Sequence, residues 1–378
     1  MGADRLLIVG ASARAAAFSA LRAGFAPWCA DRFADVDLAS RCEADRVPAT
    51  LYPEGLEEIV RDAPPGPWMY TGGLEHYPDL VDRIAKLRPL WGNPGSILRL
   101  ARSPEHLHDV LVRAGLLSPR FGNDACNPRG GWLVKPRRGR TGIRPGTGET
   151  IDDQHYLQEQ IEGESIAAVF LAGHENSELL GVTKQIVGEA WLHAPAYGYC
   201  GSLGPLEISA KVHESLIRLG EVLRRDLGLR GLFGVDCMLR DQAVWTLEIN
   251  PRYTASIEIL EYASGRSFLA DHAAIFRSGS EPRPSGGGAT SAPEESRILG
   301  KAILYARESI TVPGTGPWTE YRHQGVDRMP RFADIPHPGE RIEAGTPVLT
   351  FFESGRDCLT RLKKMADLLD CALTKEGR

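Results

Sequence analysis

Residues 233–252 read FGVDCMLRDQAVWTLEINPR. Apolar and polar residues alternate with period two on both sides of a polar break at Arg240, Asp241 and Gln242, which predicts a β-hairpin turning there. Phe233, Val235, Cys237 and Leu239 form one apolar face, and Ala243, Trp245, Leu247 and Ile249 form another. If both faces share one core, burial fixes the register, and the opposite face carries Asp236 together with Glu248 and Asn250. Carboxylate and amide oxygens are hard ligands suited to Mg²⁺, and so few protein ligands leave positions for nucleotide phosphates. Arg252, just beyond Asn250, adds a cation able to neutralise a transferring phosphoryl group or hold a carboxylate. The plainer reading of this pattern is a surface hairpin with solvated acids.

The chain of 378 residues, 42% hydrophobic and 25% charged, is long enough for two or three domains with their own cores. A net charge of −5 without a sustained basic run argues against nucleic acid as a partner and for a small molecule or another protein. The start, MGADRLLIVG, lacks the layout of a signal peptide, and no apolar run approaches the length of a membrane span, so a soluble, cytoplasmic protein is expected. Seven cysteines without a CxxC pair support neither a zinc site nor a disulfide framework.

Upstream, Leu6–Val9 is a short apolar strand. Gly10-Ala11-Ser12-Ala13-Arg14 and a helical stretch follow, then a second strand from Pro27 to Ala30 that ends on Asp31. This is a Rossmann-like βαβ opening with Asp31 where a ribose-binding acid falls, but Ser12 and Ala15 stand at two of the three fingerprint glycine places. The unit is scaffold, or it offers its first turn to a substrate carboxylate or phosphate. A strand at Trp68–Tyr70 leads into Thr71-Gly72-Gly73-Leu74-Glu75, where glycines admit a ligand close to the backbone. Glu75 there either selects an amine or hydroxyl or is a solvated acid in a tight connection. The next helix puts Leu80, Ile84 and Leu87 on one face, and another starts at Ser103 (N-cap) and Pro104 and stops at Gly115.

The character changes at Gly130. GGWLVKPRRGRTGIRPGTG (130–148) is a strand carrying Lys135 and then a loop of glycines and arginines. Backbone N–H groups exposed by Gly139 and Gly142, with Lys135 reaching in, suit nucleotide phosphates, although a plain basic loop has the same composition. Strands are expected at 166–171 and Leu179–Val187, as an antiparallel sheet beside that loop, and Ser209–Leu227 is an amphipathic helix.

Lys135 with its glycine loop, QEQIEG at 158–163, GVD at 234–236 and EINPR at 248–252 resemble, in order and approximate spacing, the motifs of the ATP-grasp superfamily. The resemblance spans roughly residues 100–275, and the opening βαβ unit extends it to the N-terminus. It implies an α/β (α+β) fold: a Rossmann-like pre-ATP-grasp domain over 1–98 and a two-lobed ATP-grasp domain over 99–277 with its small lobe at about 130–190. A linker over 278–295 and a β-rich C-terminal element with a terminal helix over 296–378 complete it.

The resemblance further implies that Lys135 binds ATP phosphates, that Gln158, Glu159, Gln160 and Ile161 form the adenine hinge, and that Glu164 or Ser165 approaches the ribose. Asp236, Glu248 and Asn250 would hold two Mg²⁺ ions, Arg252 would stabilise an acyl-phosphate, and Lys184 would lie in the cleft. Gly10, Gly73, Glu75 and Arg252 are the substrate candidates. One departure is the absent ATP-contacting lysine near residue 103, for which Arg99 or Arg102 would substitute. The C-terminal segments ILGKAILYA and ADIPHPGERIEAGTPVLTFFESG resemble the β-rich element of biotin-carboxylase-like members, without the Met-Lys-Met turn of a biotinyl carrier. The terminal helix, 358–374, puts Leu359, Leu362, Leu368 and Leu369 inward.

The activity implied is ATP-dependent carboxylate–amine ligation. The GGLE turn and the ADIPxPG element look most similar to ATP-grasp carboligases associated with tetrahydromethanopterin and methanofuran one-carbon cofactors. Three other readings stand beside it: bicarbonate activation, non-catalytic ATP binding, and a dehydrogenase built on the βαβ unit. A homodimer is expected by analogy.

Overall fold

The computed structural model describes residues 3–122, 131–138, 143–146, 151–282 and 298–374. The N-terminal unit runs β1 (Arg5–Val9), α1 (Arg14–Arg22), β2 (Ala26–Asp31), α2 (Val36–Ala39), β3 (Glu43–Arg46), α3 (Leu56–Asp62) and β4 (Trp68–Tyr70), then α4 (Pro78–Ala85) and α5 (Gly95–Ala101). Its strands pair in parallel in the order β3-β2-β1-β4, so the order reverses between β1 and β4. Such a switch point opens a crevice at the carboxyl ends of the strands, here at Gly10 and the TGGLE turn. Asp31 is not free for a ribose: its carboxylate accepts the N–H groups of Ala13 (2.7 Å), Phe33 (2.9 Å) and Ala34 (2.6 Å). Helix α4 stops at Ala85, so Leu87 lies past its end and is exposed.

Helix α6 (Pro104–Arg113) starts as its sequence specifies, with Ser103 Oγ accepting the His106 N–H at 3.2 Å. A four-stranded antiparallel sheet follows in the order β5-β8-β6-β7, from β5 (Phe121–Gly122), β6 (Trp132–Pro136), β7 (Arg144–Gly146) and β8 (His155–Glu159). The next strands, β9 (Glu164–Ala172) and β10 (Ser177–Val187), do not join this small sheet. They enter an eight-stranded sheet with β11 (Tyr199–Gly204), β12 (Gly231–Arg240) and β13 (Ala243–Asn250). The sheet of the small lobe therefore ends near residue 160, not 190. One face of the large sheet buries Ile166, Phe170, Phe233, Val235 and Cys237 against α7 (Ala210–Leu227). The other packs Val169 and Leu171 with α8 (Ala255–Ser264), α9 (Phe268–Ser278) and the N-terminal unit.

The C-terminal element extends the same sheet. β14 (Leu299–Tyr305) pairs with β11, β18 (Pro347–Ser354) with β14, and β16 (Phe332–Ala333) with β18, while β15 (Ile310–Thr311) and β17 (Arg341–Ile342) form a small ribbon. Most of the expected linker, from 283 on, lies outside the described residues. Helix α10 (Cys358–Thr374) buries Cys358, Leu362, Met365, Ala366 and Leu369. Leu359 and Leu368, expected inward, are on its wet side, because a 3.6-residue period starting from Leu362 selects 365, 366 and 369.

The hairpin turns where expected, with Asp241 and Gln242 both at positive φ (+52° and +63°), as a two-residue turn between twisted strands demands. Its second face differs from the expectation. The register runs Gly234–Asn250, Val235–Ile249, Asp236–Glu248, then slips so that Cys237 opposes Thr246 and Leu239 opposes Val244. Leu247 is the extra residue of a β-bulge. Val244, Thr246 and Ile249 are therefore the buried core-face residues of β13, Asn250 is buried beyond them, and Ala243, Trp245 and Leu247 are only half-buried.

Candidate active site

The slip brings Asp236 and Glu248 side by side, with Asn250 next on the same face. Asn250 Nδ2 donates to Asp236 Oδ2 (2.9 Å), and Gln185 Nε2 donates to Asp236 Oδ1 (2.9 Å). Two cations reach Glu248 from different parts of the chain. Arg102 Nη1 lies 2.9 Å from Oε1, and Lys135 Nζ lies 3.8 Å from Oε2. Lys135 also donates to Gln158 Oε1 (3.1 Å), whose Nε2 donates to the Leu247 carbonyl (3.2 Å), so the bulge residue ties the small sheet to the hairpin. Burial works against charge on Arg102, but Glu248 and then Glu75 outweigh it and raise its pKa.

Arg252, buried, connects this cluster to the N-terminal crevice. Its Nη2 donates to Asn250 Oδ1 (3.2 Å) and its Nε to Glu75 Oε1 (2.8 Å). Burial alone would raise the Glu75 carboxyl; Arg252, His76 and Arg102 overcome it and hold the pKa down at about 2. Two glycines of the crevice are required: a Cβ on Gly10 would meet Thr71 Oγ1, and Gly73 sits at φ +102° against the Tyr52 hydroxyl, whereas a Cβ on Gly72 would make only ordinary contact with the Arg252 guanidinium.

Some expected residues stand apart from this centre. Lys184 and Glu164 bond to each other (2.6 Å), and the register, which sets Lys184 opposite Ile166 but Thr183 opposite Ala167 and Ala167 opposite Asp236, points them to the α7 side of the sheet. Lys184 is thus corrected from a cleft residue to a residue of the other face. The Glu159 side chain turns to Arg120 (3.0 Å) and the Gln160 N–H to the Gly131 carbonyl (2.9 Å), so of the hinge side chains Gln158 alone enters the centre, while Ile161 is buried. Gly139 and Gly142 lie outside the described residues. Arg99 is spent on Asp79 and Asp82 at the surface, and of the two arginines Arg102 is the one that reaches Glu248. Gln185, Tyr52 and His76 went unnoticed in the sequence. Only His76, adjacent to Glu75, carried a signal, its place in the turn.

For a divalent cation the donor set is all oxygen, two carboxylates and one amide with two cations beside them, which fits Mg²⁺ shared with phosphates better than a soft metal.

Residues 110–256 match the model of the ATP-grasp domain family. The architecture of the chain as a whole is the ATP-grasp fold. Among proteins of known sequence, it is 26% identical over 228 residues to the carbamoyl phosphate synthase large chain of Beutenbergia cavernae, a stretch covering 50% of this chain and 20% of that protein. Among solved structures, it resembles the biotin carboxylase domain of Hydrogenobacter thermophilus 2-oxoglutarate carboxylase (TM-score 0.70, 12% identity, 98% of this chain and 90% of that one). It also resembles the L-amino acid ligase of Bacillus licheniformis (TM-score 0.67, 16% identity, 98% of both chains).

Proposed function

We propose that this protein is an ATP-dependent carboxylate–amine ligase that works through an acyl-phosphate. The observation that carries the reading is the convergence at Glu248: Lys135 and Arg102 bring positive charge to it, Asp236 and Asn250 flank it, and Arg252 joins that cluster to Glu75 in the crevice. Asp236, Glu248 and Asn250 would hold Mg²⁺, which supplies charge neutralisation of the phosphates when bound. Lys135 orients and neutralises the transferring phosphoryl group, Arg102 holds Glu248 in place, Arg252 holds the acid and then the acyl-phosphate, and Gln158 fixes Lys135. Gly139, Gly142, Glu159, Gln160 and Ile161 remain nucleotide contacts in the proposal, while Glu164, on the far face with Lys184, leaves it. Phosphoryl transfer asks for positioning and charge and for no covalent nucleophile, which these side chains supply.

The narrower form of the proposal, addition of glutamate or another amine during biosynthesis of a one-carbon carrier cofactor, rests on the resemblance of the GGLE and ADIPxPG segments. Activation of bicarbonate is the second reading, favoured by likeness in fold to a carboxylase domain whose structure holds MgADP and bicarbonate. A homodimer, as that domain forms, belongs to the proposal. The test is ADP release from Mg²⁺-ATP across a panel of carboxylates, bicarbonate included, with and without amines. Release that needs one acid and one amine supports the ligase, bicarbonate alone supports the second reading, and tight ATP binding without any release would overturn both.

A further inference from the structure

Between the TGGLE turn and the start of α6 lies a cavity of about 190 Å³, with Glu75, His76, Arg102, Ser103, Glu105 and Arg137 in its wall. Three of these residues carry a buried polar atom with no hydrogen-bond partner among the described residues: Glu75 Oε2, His76 Nδ1 and Arg102 Nε. Glu75 is 2% and His76 7% exposed. Unpaired buried polar atoms are costly and rare, and three around one cavity point to a ligand that pairs with them.

The chemistry of that ligand follows from theirs. Glu75 is an ionised carboxylate with one oxygen committed to Arg252, so Oε2 is an anionic acceptor. Burial first, and then Arg102, lowers the His76 pKa, and the ring in its neutral form offers Nδ1 as an acceptor as well. Arg102 Nε is a cationic donor. Acceptors at one side and a cationic donor at another complement a zwitterion. The volume is below the roughly 300 Å³ where pockets for drug-sized ligands begin, too small for a nucleotide. Glu75 also holds Arg252, and Arg102 also holds Glu248, so a molecule here touches both halves of the proposed centre.

We propose that this cavity binds the amine substrate as a free α-amino acid, its ammonium on Glu75 and His76 and its carboxylate on Arg102. The assignment of the bound molecule as a substrate rests on the ligase reading. The site itself is tested without turnover, by titrating the full chain, saturated with Mg²⁺ and a non-hydrolysable ATP analogue, with the common amino acids in a calorimeter. N-acetylglycine, methylamine and inorganic phosphate serve as controls. At least one amino acid should bind about tenfold or more tighter than every control, the size of a lost charge-assisted hydrogen bond. His76→Leu, which leaves the Arg252–Glu75 pair in place, should weaken that binding about tenfold, and His76→Gln should restore most of it. Equal binding of phosphate or N-acetylglycine, no amino-acid binding, or an indifferent His76→Leu would overturn the site. Amino-acid binding without ADP release would sustain the site and sink the ligase; ADP release that needs only an amine without a carboxylate would do the reverse.

Discussion

Arg102 and Lys135 meet one carboxylate from opposite sides, the first from the end of α5 and the second from the small sheet. Two cations on one acid, with Asp236 opposite, are poised for a metal–phosphate group that brings its own charges. Replacing Glu248 by Gln keeps the shape and removes the charge; turnover measured as ADP release should fall at least about a hundredfold with unchanged circular dichroism. Full activity in that variant would refute the metal site. Asp236, Glu248, Asn250 and Arg252 were legible in the sequence because strand alternation and short spacing place them. Tyr52, His76 and Gln185 were not, because their proximity is created by contacts between separate units, on which local pattern has no hold. Lys184 misled because a basic residue in a strand shows its charge in sequence but not its side of the sheet.

The hairpin shows the same limit at the scale of an element. Its existence and turn follow from period two, but the bulge at Leu247 is invisible to it: Trp245, Leu247 and Ile249 look continuous, although the face changes between them. Deleting Leu247 forces either Glu248 and Asn250 or Val244 and Thr246 onto the wrong face. The expected outcome is loss of the melting-temperature gain conferred by Mg²⁺-ATP; retention of that gain would show the bulge to be dispensable. Helix α9 carries a second element-scale consequence. His272 is buried, its Nδ1 accepting the Leu232 N–H (2.9 Å) and its Nε2 bonded to the Trp91 carbonyl (3.2 Å), and burial pushes its pKa down to about 4 from an ordinary 6.5. Between those values the unfolded chain binds a proton that the folded chain does not, so this contribution is complete above pH 6.5 and is lost as pH falls toward 4. Thermal melts from pH 7.5 down to 5 should show falling stability, and His272→Gln should flatten the slope. A parallel slope in the variant would assign the effect to other groups.

Across the whole molecule, three regions distant in sequence close on a buried ionic cluster. Arg14 of α1 bonds Glu258 of α8 and Asp334 beyond β16 (Nε–Oδ1 2.9 Å), and Lys301 of β14 bonds the same Glu258 (2.7 Å). The N-terminal unit, the large sheet's helix and the C-terminal element are thus locked together by charges that only the folded chain can pair. Arg14→Met leaves the buried Glu258 and the half-buried Asp334 short of a partner and should cost about 3–5 kcal/mol in urea unfolding; a loss under about 1 kcal/mol would show the cluster to be peripheral. The order of units was legible in the sequence, but their union into one eight-stranded sheet was not, since β11–β14 pairing spans the linker. The central claim is that a carboxylate is phosphorylated at this cluster. The direct test is to supply ¹⁸O-labelled carboxylates with Mg²⁺-ATP and the amine panel, and to weigh the released phosphate and the product. One ¹⁸O transferred to phosphate per turnover, with a product equal to acid plus amine less water, is the predicted result; ADP release with unlabelled phosphate would contradict it.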